Sequence, residues 1–74
     1  MFPEEYLNFG YLEIDGSMVR VYKAPYDWRT ICVQHPIEKA YWSGKAITVV
    51  LKSGQIRVYR QFEDFYYNPE IVKY

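Results

Sequence analysis

The chain has 74 residues, and its nine basic and nine acidic side chains give a formal net charge of zero at pH 7. This length predicts one small domain over residues 1–74, and the balanced charge disfavours nucleic-acid binding that depends on an excess of Lys and Arg. The single Cys excludes an internal disulfide. We expect a cytoplasmic protein with no membrane span, because no signal-peptide pattern and no apolar run of about 18 residues is visible.

The first elements in chain order are a short helix and a β-hairpin. The helix is predicted over residues 3–10, which begin with a Pro and end with a Gly suited to the left-handed cap. The alternative is that the first strand begins near Asn8. Strands are predicted over residues 11–14 and 19–23, on either side of the hairpin signal Asp15-Gly16. Pro25 excludes a central strand, so residues 24–29 are interpreted as a connection.

Apolar runs and turn residues predict the remaining elements as three more strands and a helical turn. They are strands over 30–34, 46–52 and 55–60, with 37–42 continuing the third strand past His35-Pro36, a helical turn over 61–67 stopped by Asn68-Pro69, and a terminal strand or loose tail over 71–74. The fold class predicted is mainly β, as a five-stranded meander or a partly open SH3-like barrel with short helical segments.

One strand sequence occurs twice. Residues 18–23 return almost unchanged as residues 55–60, an offset of 37 residues. The surrounding matches align Leu12 and Ile14 with Val49 and Leu51, Asp27 with Asp64, and Trp28 with Phe65. The repeat predicts two similar hairpins with the same register, packed around one core. The alternative is that an ordinary amphipathic strand sequence has arisen twice by chance.

Side chains alternate between the two faces of a strand, so the repeat also predicts a core face and an outer face. The expected core contains Val19, Val21, Ile56 and Val58, with Leu12 or Ile14 and Val49 or Leu51. The expected outer face carries Arg20, Tyr22, Arg57 and Tyr59. Because Tyr presents a stiff ring and Arg a planar fork, this face is a candidate binding surface. Ordinary cross-strand packing on a solvated face is the alternative.

Trp28 is the fifth candidate binding residue. It stands between Asp27 and Arg29 in the predicted connection, and a Trp beside opposite charges is typical of an interface hot spot. A plug over an open end of the barrel is the alternative. The nine Tyr, four Phe and two Trp of the chain are compatible with an interface, where Tyr and Trp are enriched. The alternative is a thin two-layer β domain that simply places aromatic rings on both sheet faces.

No residue pattern indicates catalysis, a metal site or a cofactor. Cys32 and His35 point to opposite faces of one strand and cannot form a nucleophile–base pair. No Cys and His spacing supplies about four zinc ligands, and the carboxylates are scattered. We therefore interpret Cys32 as a small buried hydrophobe and expect no enzyme.

Residues 46–59 form an apolar strand, a Gly turn and a strand ending in Tyr59. This stretch is similar to hairpins in several small bacterial domains of unknown function, including the KTSC type. The lysine-threonine-serine-cysteine signature of that family is absent here, so the resemblance implies no functional residue.

Two functions are consistent with these features. The first is a binding module that docks on another protein, or on its own copy as a homodimer, through aromatic and Arg side chains. The alternative is a single-stranded nucleic-acid binder of the barrel type, with bases stacked on aromatic rings in a basic groove. The second needs Arg20, Lys23, Arg57 and Arg60 to form one patch without acids between them.

Overall fold

The computed structural model describes residues 1–66 and 70–73. The chain is mainly β with short helical segments, as predicted. The elements are α1 (Glu4–Phe9), β1 (Leu12–Asp15), β2 (Met18–Ala24), β3 (Asp27–Cys32), β4 (Ile37–Ser43), β5 (Ala46–Leu51), β6 (Ile56–Tyr59), a 3-10 helix (Phe62–Phe65) and β7 (Glu70–Lys73). Asn68-Pro69 and Tyr74, to which the sequence assigned a stop and the end of a strand, lie outside the described residues.

The strands form two antiparallel meanders, with the orders β1-β2-β3 and β4-β5-β6-β7. The described part of the chain thus has seven strands, and the prediction of five was too low. His35-Pro36 divides the predicted third strand into β3 and β4. The chain turns there with Gln34 at a φ of 67°, and the Ile37 N–H donates to the Gly16 carbonyl at 3.2 Å.

The predicted connection over residues 24–29 is the second correction. Only Pro25 and Tyr26 form the turn, because Ala24 already pairs with Asp27. Pro is favoured near the start of such a tight turn, where its fixed φ is suitable. Trp28 consequently lies on β3 and not in a loop.

The helix α1 packs against β2, and its bounds agree with the sequence prediction. Gly10 ends it in the left-handed conformation with a φ of 66°, and its N–H donates to the Tyr6 carbonyl at 3.0 Å. The buried Phe2 precedes the helix and meets the rings of Trp42 and Phe62 edge to face, at 5.2 and 4.9 Å between centroids. A helix of this length depends on such packing, because short helices are marginal alone in water.

Both sheets and the 3-10 helix contribute to one hydrophobic core. Its buried members are Phe2, Val19, Val21, Ile31, Val33, Ile37, Ile47, Val49, Leu51, Tyr59 and Phe62. Val19, Val21 and Val49 were expected there, and each aliphatic side chain buried in full stabilises the fold by roughly 1.5–3 kcal/mol. Ile56 and Val58, however, are only half-buried, so the predicted core face of β6 is wrong.

The cause is a one-residue difference in register between the two hairpins. In the first, Leu12 pairs with Val21. The 37-residue repeat therefore predicts a pair between Val49 and Val58, but Val49 pairs with Arg57. A shift by one residue moves every side chain of a strand to the other face, which brings Tyr59 inward.

The turns account for this shift. In the first hairpin, Gly16 opens a two-residue loop with a φ of 63°, and Asp15 pairs with Met18 across it. In the second, Gly54 ends a three-residue loop with a φ of 99°, and the Leu51 N–H donates to the Gln55 carbonyl at 2.9 Å. Two-residue loops with Gly first and three-residue loops with Gly last are both common hairpin turns, and each imposes its own register.

Candidate binding surface

The outer face of the three-stranded sheet carries three rows of side chains, each with one residue from β1 or its start, one from β2 and one from β3. The rows are Tyr11, Tyr22 and Trp28; then Glu13, Arg20 and Thr30; then Asp15, Met18 and Cys32. The opposite face carries Val19, Val21 and Ile31, which are buried in the core. Alternation along the strands thus leaves the polar and aromatic set on the solvent side.

The first row is a continuous aromatic surface. The ring centroids of Tyr11 and Tyr22 are 5.1 Å apart, and those of Tyr22 and Trp28 are also 5.1 Å apart. Tyr11 is 50% and Trp28 44% exposed, whereas the central Tyr22 is only 8% exposed. Because the flanking rings hold the central one in place, a ligand would meet a rigid surface and little side-chain entropy would be lost on binding.

Arg20 borders this aromatic row. Its guanidinium donates to Glu13 and, at 3.0 Å, to Asp15, and its central carbon lies 6.0 Å from the centroid of the Trp28 ring. The hydrogen bond to Glu13 is the main cause that raises the pKa of Arg20. The cation is therefore held beside the rings, with its charge balanced by carboxylates. We call Tyr11, Arg20, Tyr22 and Trp28 together the aromatic face.

Three of the five predicted binding residues, Arg20, Tyr22 and Trp28, are thus neighbours on this face. Trp28 does not plug an end of the fold, since its ring lies on the outer side of the sheet against Tyr22. The core beneath β3 is covered by Arg29, whose guanidinium carbon is 4.3 Å from the centroid of the Phe62 ring.

The other two predicted residues, Arg57 and Tyr59, belong to the four-stranded sheet and do not join the aromatic face. Tyr59 is 1% exposed and stacks on Phe65 with 4.0 Å between ring centroids. Arg57 donates to Gln55 and, at 3.5 Å, to the Tyr59 hydroxyl. Burial raises the pKa of Tyr59. Their outward orientation was predicted wrongly, because the register of β6 differs by one residue from that of β2.

Sequence reasoning missed one aromatic residue at this surface, Tyr11. The two-residue hairpin loop was the available signal for Tyr11, because continuing its register backwards puts Tyr11 opposite Tyr22.

Cys32 lies at the end of the outer face and is exposed. The interpretation of Cys32 as a buried hydrophobe was wrong, because Ile31 takes the inward position on β3. His35 is exposed in the bend before β4. Within residues 1–66 and 70–73, no group of three or more His, Cys, Asp or Glu side chains is placed to hold a metal ion.

The basic side chains do not form a patch free of acids. Arg20 is paired with two carboxylates on the aromatic face. Lys23 lies 3.5 Å from Asp27, whose charge is the first cause that raises the pKa of this lysine. Arg60 pairs with Glu70 at 2.7 Å on the other sheet. Arg20, Lys23 and Arg60 are therefore each paired with a carboxylate.

No protein-family model, curated protein or solved structure matches this chain. The similarity of residues 46–59 to KTSC-type hairpins thus remains a local one. Among the described residues, no helix has the length and apolar character needed to cross a membrane.

Proposed function

We propose that this chain is a small, non-catalytic binding module that docks on another protein through the aromatic face. The row of Tyr11, Tyr22 and Trp28 is the observation that carries this proposal. Its two outer rings are about half exposed on an open sheet face, beside an Arg held by carboxylates. Tyr, Trp and Arg are the residue types enriched at protein interfaces and at their hot spots. We also propose a cytoplasmic location, in keeping with a single Cys.

A partner protein is favoured over single-stranded nucleic acid by the charges around the rings. Stacked bases need cations nearby to neutralise the phosphates. On the aromatic face, Arg20 is already paired with Glu13 and Asp15. A phosphate chain over these rings would therefore meet two carboxylates beside a single cation.

The test compares variants of the aromatic face with a matched control. The wild-type chain, Trp28→Ala and Tyr66→Ala are immobilised, partners are captured from a lysate of the native host, and the affinity of each purified partner is measured by calorimetry. Tyr66 is a suitable control because it is an exposed aromatic residue at the end of the 3-10 helix. We expect Trp28→Ala to weaken binding by at least about 2 kcal/mol, or roughly thirtyfold, and Tyr66→Ala to have little effect.

Equal losses of affinity in Trp28→Ala and Tyr66→Ala would contradict the assignment of binding to the aromatic face. Sedimentation equilibrium at micromolar concentration distinguishes the remaining possibility, a homodimer. In that case the wild type has twice the mass of one chain, and Trp28→Ala restores the single mass. A dimer that persists in Trp28→Ala would mean that the copies associate elsewhere.

A further inference from the structure

Arg57 is a charged side chain on the core side of the four-stranded sheet. The register of β6 pairs it with Val49, which is fully buried, and Arg57 shares its face of the strand with the buried Tyr59. The Arg57 side chain is half-buried there. Because Arg is rarely withdrawn from water without a charged partner, its surroundings require an explanation.

The hydrogen-bond partners of Arg57 are neutral. It donates through Nε to the Gln55 side chain and through Nη1 to the Tyr59 hydroxyl, the latter at 3.5 Å. Arg20 and Lys23 are also half-buried, but each of them pairs with a carboxylate. In the part of the chain that the structure describes, no carboxylate forms an ion pair with Arg57. Its charge is therefore balanced only by the dipoles of neutral groups.

Arg57 lines a pocket of about 340 Å³, which we call the Arg57 pocket. The other lining residues are His35 from the bend before β4, Leu51 at the end of β5, and Ser53 and Gln55 from the turn that follows. Arg, His, Ser and Gln side chains all carry N–H or O–H donors, and no Asp or Glu of the described residues lines the pocket. Its volume is within the range of small-molecule sites.

The walls of the Arg57 pocket are fixed by main-chain hydrogen bonds. The Lys52 N–H donates to the Pro36 carbonyl at 3.1 Å, which ties the turn between β5 and β6 to the bend before β4. His35 and Ser53 are exposed, so the pocket is reached from solvent without a conformational change. Donors that are already in place lose little conformational entropy when a ligand binds.

We propose that the Arg57 pocket binds the phosphate group of a small phosphate monoester. The planar fork of Arg57 matches two phosphate oxygens, and Ser53, Gln55 and His35 offer further donors around it. A carboxylate has only two oxygens and would leave part of these donors unpaired. Inorganic phosphate would occupy a small part of the volume, which leaves room for the organic part of a monoester. This site shares no residue with the aromatic face and is independent of the protein partner proposed above.

The first test titrates phenyl phosphate into the intact, isotope-labelled chain and follows the side-chain N–H signals of Arg57 and Gln55 by NMR. Benzoate carries the same ring with a carboxylate, and inorganic phosphate lacks the ring. We expect both signals to shift with phenyl phosphate at lower concentrations than with either of the other anions. This measurement uses the wild-type chain and does not depend on a variant that folds.

Variants then identify the residue that holds the anion. Arg57→Gln removes the guanidinium from the pocket, whereas the matched control Arg60→Gln removes the same charge from an exposed side chain that pairs with Glu70. We expect Arg57→Gln to weaken the binding of phenyl phosphate by at least about tenfold and Arg60→Gln by less than about twofold. Ser53→Ala changes an exposed turn residue and should weaken binding about threefold with the fold intact.

Three results would contradict the proposal. Equal losses of affinity in Arg57→Gln and Arg60→Gln would mean that anions are attracted to the chain in general. Benzoate that binds as tightly as phenyl phosphate would overturn the assignment to phosphate. Signals of Arg57 and Gln55 that do not move at millimolar phenyl phosphate would overturn the site itself.

Discussion

The hairpins β1–β2 and β5–β6 contain nearly the same second strand but orient it in opposite ways. In β2, Val21 is buried in the core and Tyr22 lies on the outer face. In β6, Val58 is half-buried and Tyr59 is in the core. The comparison shows that an Arg-Val-Tyr strand does not decide which of its faces is buried.

The position of one glycine in the turn decides it. The first loop has the order Gly16-Ser17 and the second the order Ser53-Gly54. Gly in the first position suits a two-residue loop, whereas Gly in the last position suits a three-residue loop with a left-handed final residue. The second hairpin therefore ends its pairing at Leu51 and leaves Lys52 in the loop, which shifts β6 by one residue relative to β2.

The difference between the hairpins also decides where their side chains lie. The first displays its Arg and Tyr beside Trp28, and the second uses its Tyr to fill the core. Only the first copy therefore contributes to the aromatic face, although the sequence offers the same side chains twice.

The largest expected effect separates the two Tyr residues. Tyr59→Ala should lower the free energy of unfolding by about 3–5 kcal/mol, because it leaves a cavity beside Phe65 and Ile47. Tyr22→Ala should cost about half of that or less, since its ring packs on the outer face. Thermal melts of both variants followed by circular dichroism check this order. The reverse order would put Tyr22 in the core instead.

The aligned valines give a smaller effect with identical chemistry. Val21→Ala should destabilise the fold by about 2 kcal/mol, because Val21 is 0% exposed. Val58→Ala should cost less than about half as much, as Val58 is only half-buried. Urea denaturation of the two variants measures the difference. Equal losses would mean that both valines occupy core positions, as the repeat alone predicts.

Exchanging the turn residues tests the cause of the shift. The double variant Ser53→Gly, Gly54→Ser gives the second turn the Gly-Ser order of the first. Serine at a φ of 99° is strained, and we expect a loss of about 1–2 kcal/mol. The matched control Ser53→Gly alone keeps Gly54 and should change stability by less than about 1 kcal/mol. A double variant as stable as the wild type would remove the turn as the explanation.

The smallest effect concerns alkaline pH. Burial raises the pKa of Tyr59 above its ordinary 10.0, so the unfolded chain releases this proton at lower pH than the folded chain. The contribution of this pKa difference to the free energy of unfolding is therefore complete below about pH 10. It is lost as the pH rises through the pKa that Tyr59 has in the folded chain. Tyr59→Phe should retain more of its neutral-pH stability above pH 10 than the wild type does. Denaturation at several pH values checks this, and parallel curves for the variant and the wild type would contradict it.

Local signals predicted much of the fold. Pro3, Gly10 and the Gly-containing turns mark α1 and the hairpins, because each of these residues has a strong backbone preference. Residues 27–29 were assigned to a connection, since Pro25 indicates a break but not how short the turn is. The strand count was too low because His35-Pro36 separates two strands that belong to different sheets.

The candidate site was predicted in part. Arg20 and Tyr22 were found by alternation within β2, where the turn and the strand agree. Arg57 and Tyr59 were assigned to the wrong face because alternation fixes which residues share a face, but only the register fixes which face is buried. The position of Cys32 and Trp28 on the outer face is set by the pairing of β2 with β3. Sequence periodicity does not reveal this pairing.

The register of β5 and β6 can be measured directly by NMR. In the structure Thr48 pairs with Val58 and Val50 with Ile56, and neither pair exchanges main-chain hydrogen bonds, since Leu51 does so with Gln55. In such pairs the α-carbons approach to about 4.5 Å. The predicted result is a strong cross-peak between the α-protons of Thr48 and Val58. A strong cross-peak between Val49 and Val58 in its place would give the second hairpin the register of the first and contradict the separate roles of Tyr22 and Tyr59.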